Sequence, residues 1–176
     1  MTMVAMHIIS PLTCIPEKPL VMISARFKGD KYEKMVRELT SELNKAGVNA
    51  YIVEAGAGMT FGDKTLFGLS NMVVMVCFCT PHYGERTVAV YSSFGELKYA
   101  SEKRIDILPI KMCEDKDYPP SPNRDFDGQN LGPAQNKFVF SDDLVYKDWS
   151  SREWDAEKCA KETKESLMKL GKCPLL

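Results

Sequence analysis

The sequence predicts an α/β protein built on an open, doubly wound parallel sheet of about five strands. Short apolar runs alternate with amphipathic stretches in the order strand, helix, strand, helix, strand, helix, strand, which right-handed crossovers turn into a parallel sheet covered on both faces. The run Met72 to Cys79 (MVVMVCFC) is apolar at every position, as a strand buried on both sides requires. The chain of 176 residues carries 23 Lys and Arg against 24 Asp and Glu, with 44% hydrophobic and 27% charged residues. That composition is ordinary for a globular domain, and a net charge of -1 leaves no basic excess for nucleic acid or anionic lipid. The longest apolar run, Met72 to Thr80, falls well short of the roughly 18 residues a membrane span needs.

Residues 1–18 read as an N-terminal extension. They have an apolar patch, but no basic residues precede it and no small-residue cleavage site follows, so a secretory signal is not expected. One domain is expected over 19–171, with a tail over 172–176. Pro19 opens the first strand, Leu20 to Ala25. From Asp30 the apolar residues Tyr32, Met35, Val36, Leu39, Leu43 and Ala46 recur at three- and four-residue steps, which makes an amphipathic helix. Asp30 with Glu33 marks its start and Gly47 its end. Val48 to Val53 is a second strand, and the glycine-bearing loop Glu54 to Asp63 leads into a short helix, Lys64 to Ser70. The third strand, Met72 to Cys79, is followed by breakers Pro81 and Gly84. A helix over about Val90 to Lys103 then presents Phe94, Leu97 and Ala100 to the core, and Ile105 to Ile110 is a fourth strand. Residues 112–136, rich in Pro, Asp and Asn, read as a long surface loop, and Lys137 to Phe140 as a fifth, edge strand. Ser150 with Glu153 forms a capping-box pattern before a last helix.

Six cysteines (Cys14, Cys77, Cys79, Cys113, Cys159, Cys173) include no C-x-x-C pair and read as reduced, buried thiols of a cytoplasmic protein. The two histidines, His7 and His82, lack zinc-ligand spacing, so no metal site is expected. In an open parallel sheet, ligands bind at the carboxyl ends of the strands. That rule nominates Ser24 to Gly29, Glu54 to Asp63, Thr80 to Ser93, and Lys111 onward. Gly56 to Gly62 is G-x-G-x-x-x-G, one residue too long and after the second strand, so it is no dinucleotide fingerprint. Asp63 between Gly62 and Lys64 likewise breaks a phosphate loop. No G-x-S-x-G elbow or triad is present. Carboxylate chemistry remains, with Glu96 at the start of the helix that leaves the third strand.

At these residues the chain resembles the TIR (Toll/interleukin-1 receptor) domain family, in its NAD-cleaving form. Val21-Met22-Ile23-Ser24-Ala25-Arg26 is similar to the family's first box, an F-I-S-Y-R type string. Glu54 to Asp63 stands where its BB loop lies. Gly95-Glu96-Leu97 with Ala100, and then Ile107-Leu108-Pro109-Ile110, resemble its E-L-x-x-A and L-P-I segments. The similarity runs from about Leu20 to Lys111 with the order preserved. It departs at Ala25, where an aromatic is common, and at Ser92, where a Trp can stand; Tyr91 or Phe94 would substitute.

The resemblance implies a flavodoxin-like fold and one of two functions. One is cleavage of NAD+ at the nicotinamide-ribose bond, giving ADP-ribose or a cyclic form, in immune or stress signalling. The other is a non-catalytic adaptor acting by TIR-TIR self-association. A nucleoside deoxyribosyltransferase-like enzyme is a third reading of the same architecture. In the first, NAD+ is the substrate and no cofactor is needed. Glu96 is then the catalytic residue, and Ser24, Arg26, Phe27, Phe61 and Ser92 form the substrate-binding set. The interface loop contains Gly56, Gly58, Gly62 and Asp63. Each has a plainer alternative. Ser93 to Glu96 is also S-x-x-E, so Glu96 would only cap its helix. Arg26 would pair with a surface carboxylate, and Phe61 would plug the sheet edge. Asp63 with Lys64 would be a solvated pair, and Glu85 with Arg86 loop solvation.

Overall fold

A computed structural model of the chain describes residues 19–53, 61–89, 91–122, 128–141 and 143–172, with the backbone alone for Phe61. The expected extension 1–18, the loop glycines Gly56 and Gly58, and tail residues 173–176 lie outside the described residues. Five parallel strands, β1 (Leu20–Ser24), β2 (Asn49–Ile52), β3 (Met72–Cys79), β4 (Asp106–Lys111) and β5 (Lys147–Asp148), form one sheet in the order β2-β1-β3-β4-β5. Helices α1 (Lys31–Lys45), α2 (Phe61–Asn71), α3 (Ser93–Glu102), α4 (Leu131–Val139) and α5 (Ala156–Lys169) cover its two faces. The expected open α/β architecture is therefore the observed one.

The alternation of each strand divides the core in two. Val21 and Ile23 of β1, with Val74, Val76 and Phe78 of β3, pack under Val36, Leu39 and Leu43 of α1 and Ala160 and Leu167 of α5. Met22, Met75, Cys77 and Cys79 face the opposite way, toward Leu69 of α2, Leu97 and Ala100 of α3 and Phe140 beyond α4. At about 25 cal/mol for each Å² of apolar surface removed from water, these two layers supply most of the folding drive. Cys77, Cys79, Cys113 and Cys159 are buried and free.

The start of α1 is as expected: the Asp30 carboxylate accepts from the backbone N–H groups of Tyr32 and Glu33. Beyond its last turn Gly47 takes φ +84, while Val48 N–H returns to the Leu43 carbonyl. Elsewhere the elements differ from expectation. Helix α2 begins at Phe61, so Gly62 and Asp63 belong to its first turn and not to a loop. Asp63 there faces the positive end of the helix dipole. The segment 112–136 is not structureless: Met112 and Cys113 are buried, a 3-10 turn spans Asp115–Asp117, and α4 takes its last six residues. Lys137 to Phe140 is not a strand but the end of α4 and the residue after it. The fifth strand is Lys147–Asp148, held to β4 by the buried Lys111 ammonium, which pairs with Asp148 at 2.9 Å and with Asp115. Nor does Ser150 cap α5. Its hydroxyl and N–H both bond the Asp148 carboxylate, and Asp155 accepts from Lys158 N–H instead. No helix among the described residues is long and apolar enough to cross a membrane.

Helix α4 is joined to the turn after β3 by one amide. Asn136, fully buried, donates through Nδ2 to the carbonyls of Tyr83 (2.7 Å) and Pro120 (2.8 Å). Gly84 lies directly against it with φ +77, and a Cβ at this position would stand 2.3 Å from Asn136 Oδ1. Gly84→Ala therefore meets both a disfavoured backbone region and a steric clash, and is expected to lower the unfolding free energy by about 2 kcal/mol or more in urea titration.

Candidate functional site

The period-two alternation of β1 places Ser24 on the same face as Met22, toward α2 and α3. Ser24 pairs in register with Cys77 of β3 and is fully buried. The chain leaves β1 for α1 on one face and β3 for α3 on the other, so β1 and β3 flank the point where the winding reverses. A cleft opens there, because the two departing segments diverge.

Helix α3 enters this cleft by its N-terminus. Its N-cap is Ser92, whose Oγ accepts from Gly95 N–H at 3.4 Å. Ser93 is already helical, and its hydroxyl accepts instead from Gly84 N–H. Glu96 is thus the fourth helical residue, one beyond the position from which a side chain reaches back to the cap, and the capping-box reading does not hold. Its carboxylate turns to the sheet edge, where Oε2 accepts from Ser24 Oγ at 2.6 Å. Glu96 is only 9% exposed. Burial pushes its carboxyl up to about 7 from the ordinary 4.5, and the Ser24 hydrogen bond opposes that rise without cancelling it.

The cleft has two lobes that meet at Glu96. The larger encloses about 470 Å³ and the smaller about 310 Å³, with Thr65, Tyr91 and Ser92 among the walls common to both. Arg26, Phe27 and Ala25 line the smaller lobe. Arg86, Lys98 and Phe94 line the larger, with the Arg86 guanidinium 6.0 Å from the centre of the Phe94 ring. Each lobe therefore has at least one cationic side chain in its wall, and the carboxylate lines both.

Of the residues singled out from sequence, Glu96, Arg26, Phe27 and Ser92 reach this cleft, and Ser24 touches it through Glu96. Arg26 also bonds Glu85 Oε2 at 2.8 Å and the Phe27 carbonyl at 3.2 Å, so Glu85 is an ion-pair partner and not merely loop solvation. Phe27 is partly buried against the α1 side of the core, under the Arg37 guanidinium. The side chain of Phe61 lies outside the described residues. Gly62 belongs to the site as a contact surface: a Cβ there would lie 2.7 Å from the Tyr91 ring, so the glycine lets Tyr91 settle on α2. Asp63 is exposed and does not line the cleft.

Sequence reasoning missed Tyr83 and Thr65. Tyr83 is fully buried and its phenol lies 2.9 Å from Ser24 Oγ. A large aromatic between Pro81 and Gly84, directly after a central strand, was the available signal, because such a ring has little to cover except the strand end.

Fold and site together define an open-sheet α/β protein of flavodoxin-like type with a buried carboxylate at its topological switch point. Within that class the fold is similar to that of a TIR domain. The chain superposes on the TIR domains in a structure of the activated Roq1 resistosome directly recognizing the pathogen effector XopQ with a TM-score of 0.61, covering 85% of this chain and 99% of that one, at 13% identity. No family model matches the sequence, and no curated protein matches it.

Glu96 holds its proton to about pH 7 when folded but only to about 4.5 when unfolded, so the folded state binds more protons between those values and loses stability as pH rises through them. Glu96→Gln keeps an acceptor for Ser24 and removes the buried charge. It is expected to unfold at higher denaturant than wild type at pH 8, by up to roughly 3 kcal/mol, with the difference vanishing below about pH 4.5.

Proposed function

We propose that the protein is an NAD+ nucleosidase that breaks the nicotinamide-ribose bond with Glu96 as the catalytic carboxylate, in immune or stress signalling. The reading rests on one observation above the rest: a buried glutamate at the meeting point of two lobes, with Arg26 on one side and Arg86 and Lys98 on the other. The TIR fold and the box-like strings around Ser24 and Glu96 add to it.

Departure of neutral nicotinamide from a pyridinium leaves positive charge developing on the ribose. An ionised carboxylate in a low-dielectric cleft stabilises that transition state more than the ground state. No general acid is needed for this leaving group. Water attack on the ribosyl cation yields ADP-ribose and releases a proton, which a carboxylate titrating near 7 is suited to accept; attack by the adenine ring yields a cyclic product instead. Arg26 would contact substrate oxygens in competition with Glu85, and Phe27 would flank the nicotinamide. Ser92 would contact the ribose from the start of α3. Tyr91 and Phe94 supply the aromatic surface near the Ser92 position.

Self-association is part of the proposal, and the similar structure, an activated resistosome, supports it. A non-catalytic adaptor is the second reading. Leu66 and Phe67, exposed on α2, favour it.

Purified protein is expected to release nicotinamide from NAD+, and Glu96→Gln to reduce the rate by about 100-fold or more. Equal rates in the two proteins would remove the catalytic reading. Because Glu96 must be ionised, kcat/KM is expected to rise with pH and level off above about 7. A rate rising faster than linearly with protein concentration would mark assembly as part of the site. An adaptor instead associates equally with or without Glu96→Gln and releases no nicotinamide.

A further inference from the structure

We propose that Tyr83 is a positioning residue for Glu96, acting through Ser24: its phenol fixes the serine hydroxyl so that the single serine hydrogen stays on the carboxylate. The inference deepens the proposed function and rests on it for the role of Glu96, but the geometry that carries it is independent of the substrate.

Three oxygens stand in a row, Tyr83 Oη, Ser24 Oγ and Glu96 Oε2, separated by 2.9 and 2.6 Å. All three side chains are buried. A serine hydroxyl has one hydrogen, and an ionised carboxylate can only accept. Ser24 therefore donates to ionised Glu96, which leaves Tyr83 as the donor at the second contact; the phenol also has the Cys77 thiol as a hydrogen-bond partner. Burial holds the Tyr83 phenol well above its ordinary range, so that donor persists across the working pH. With the serine lone pair occupied, its O–H is held in one rotamer and polarised toward the carboxylate, the cooperative strengthening expected of a hydrogen-bond chain in low dielectric. When Glu96 takes up a proton, the row can reverse: the acid donates to Ser24, Ser24 to Tyr83 Oη, and the phenol turns its hydrogen to the Cys77 thiol, its other hydrogen-bond partner.

The phenol is itself held in place. Asn136 Nδ2 grips the Tyr83 carbonyl, and the Tyr83 ring lies 5.9 Å from that of Phe140. The other titratable and charged groups around Glu96 are few. Cys77 of β3 adjoins Ser24 and has its thiol pushed up to about 12 by burial. Arg26 beyond β1 is paired with Glu85, Lys98 of α3 is 3.8 Å from Glu102, Arg86 lies over Phe94, and Tyr91 and Tyr99 share the cleft wall. Among the described residues, the hydrogen bond the structure gives the Glu96 carboxylate comes from Ser24, so the state of that hydroxyl bears directly on the acid.

The test follows the Glu96 carboxyl by 13C NMR titration of the full chain, comparing wild type, Tyr83→Phe, Ser24→Ala and the double variant, with Glu96→Gln to assign the resonance. Tyr83→Phe is expected to raise the midpoint by about half a pH unit, and Ser24→Ala by about one unit or more. In the Ser24→Ala background, Tyr83→Phe should add nothing, because its path runs through the missing hydroxyl. Site-specific replacement of Tyr83 by 3-fluorotyrosine keeps the ring and strengthens the donor, and is expected to lower the midpoint; it decides the matter if Tyr83→Phe does not fold. An unchanged midpoint, or a shift of equal size with Ser24 absent, overturns the proposal. Nicotinamide release by Tyr83→Phe is expected to fall about threefold on the acidic limb and to match wild type above pH 8, the half-unit shift read as rate. If none of the proteins releases nicotinamide, the nucleosidase reading fails, while the titration still decides the role of Tyr83.

Discussion

A carboxylate taken out of water resists ionisation, and much of this molecule around the sheet edge is arranged about one such group. Glu96 stands on the first turns of a helix, where the backbone dipole favours negative charge, yet loss of solvation outweighs that help and the acid keeps its proton far above the usual carboxylate range. What moderates the cost is a single hydroxyl at the end of β1. The position of that hydroxyl follows from the parity of β1: one residue of slip in register would turn Ser24 to the α1 face and leave the acid without a partner.

The reversal of winding between β1 and β3 explains why the cleft lies where it does. Strands that send their helices to opposite faces cannot close the gap between their own exits, so the space is a product of topology and not of any special residue. Chemistry is then a matter of which side chains the four carboxyl-end segments deliver. Here they bring Arg26, Arg86 and Glu85 to the neighbourhood of Glu96, with Tyr91 resting on Gly62.

How much of this was legible beforehand depended on whether burial and periodicity agreed. Strands β1, β3 and β4 and helix α1 announce themselves because their apolar residues fall at the spacing their geometry demands. Helix α4 does not. It buries a polar residue, Asn136, and leaves Phe138 80% exposed, so its pattern runs against the amphipathic rule and Phe138-Val139-Phe140 reads as a strand. Strand β5 is two residues long and depends on the Lys111 ion pairs, which no local pattern reveals. At the site, Glu96 could be singled out by its place after the third strand, but the Ser93 to Glu96 spacing left a capping role open until the backbone showed that Ser92 is the N-cap of α3. Tyr83 escaped notice because Pro81 and Gly84 mark its segment as a turn, and turns are ordinarily solvated.

Asn136 has a mechanical meaning. By gripping two carbonyls from separate loops with one amide nitrogen, it ties α4 to the turn bearing Tyr83, so the two cannot shift apart without stranding a buried donor. The exposed Phe138 of α4 is thus fastened, through its neighbour Asn136, to the backbone of the residue that carries the phenol.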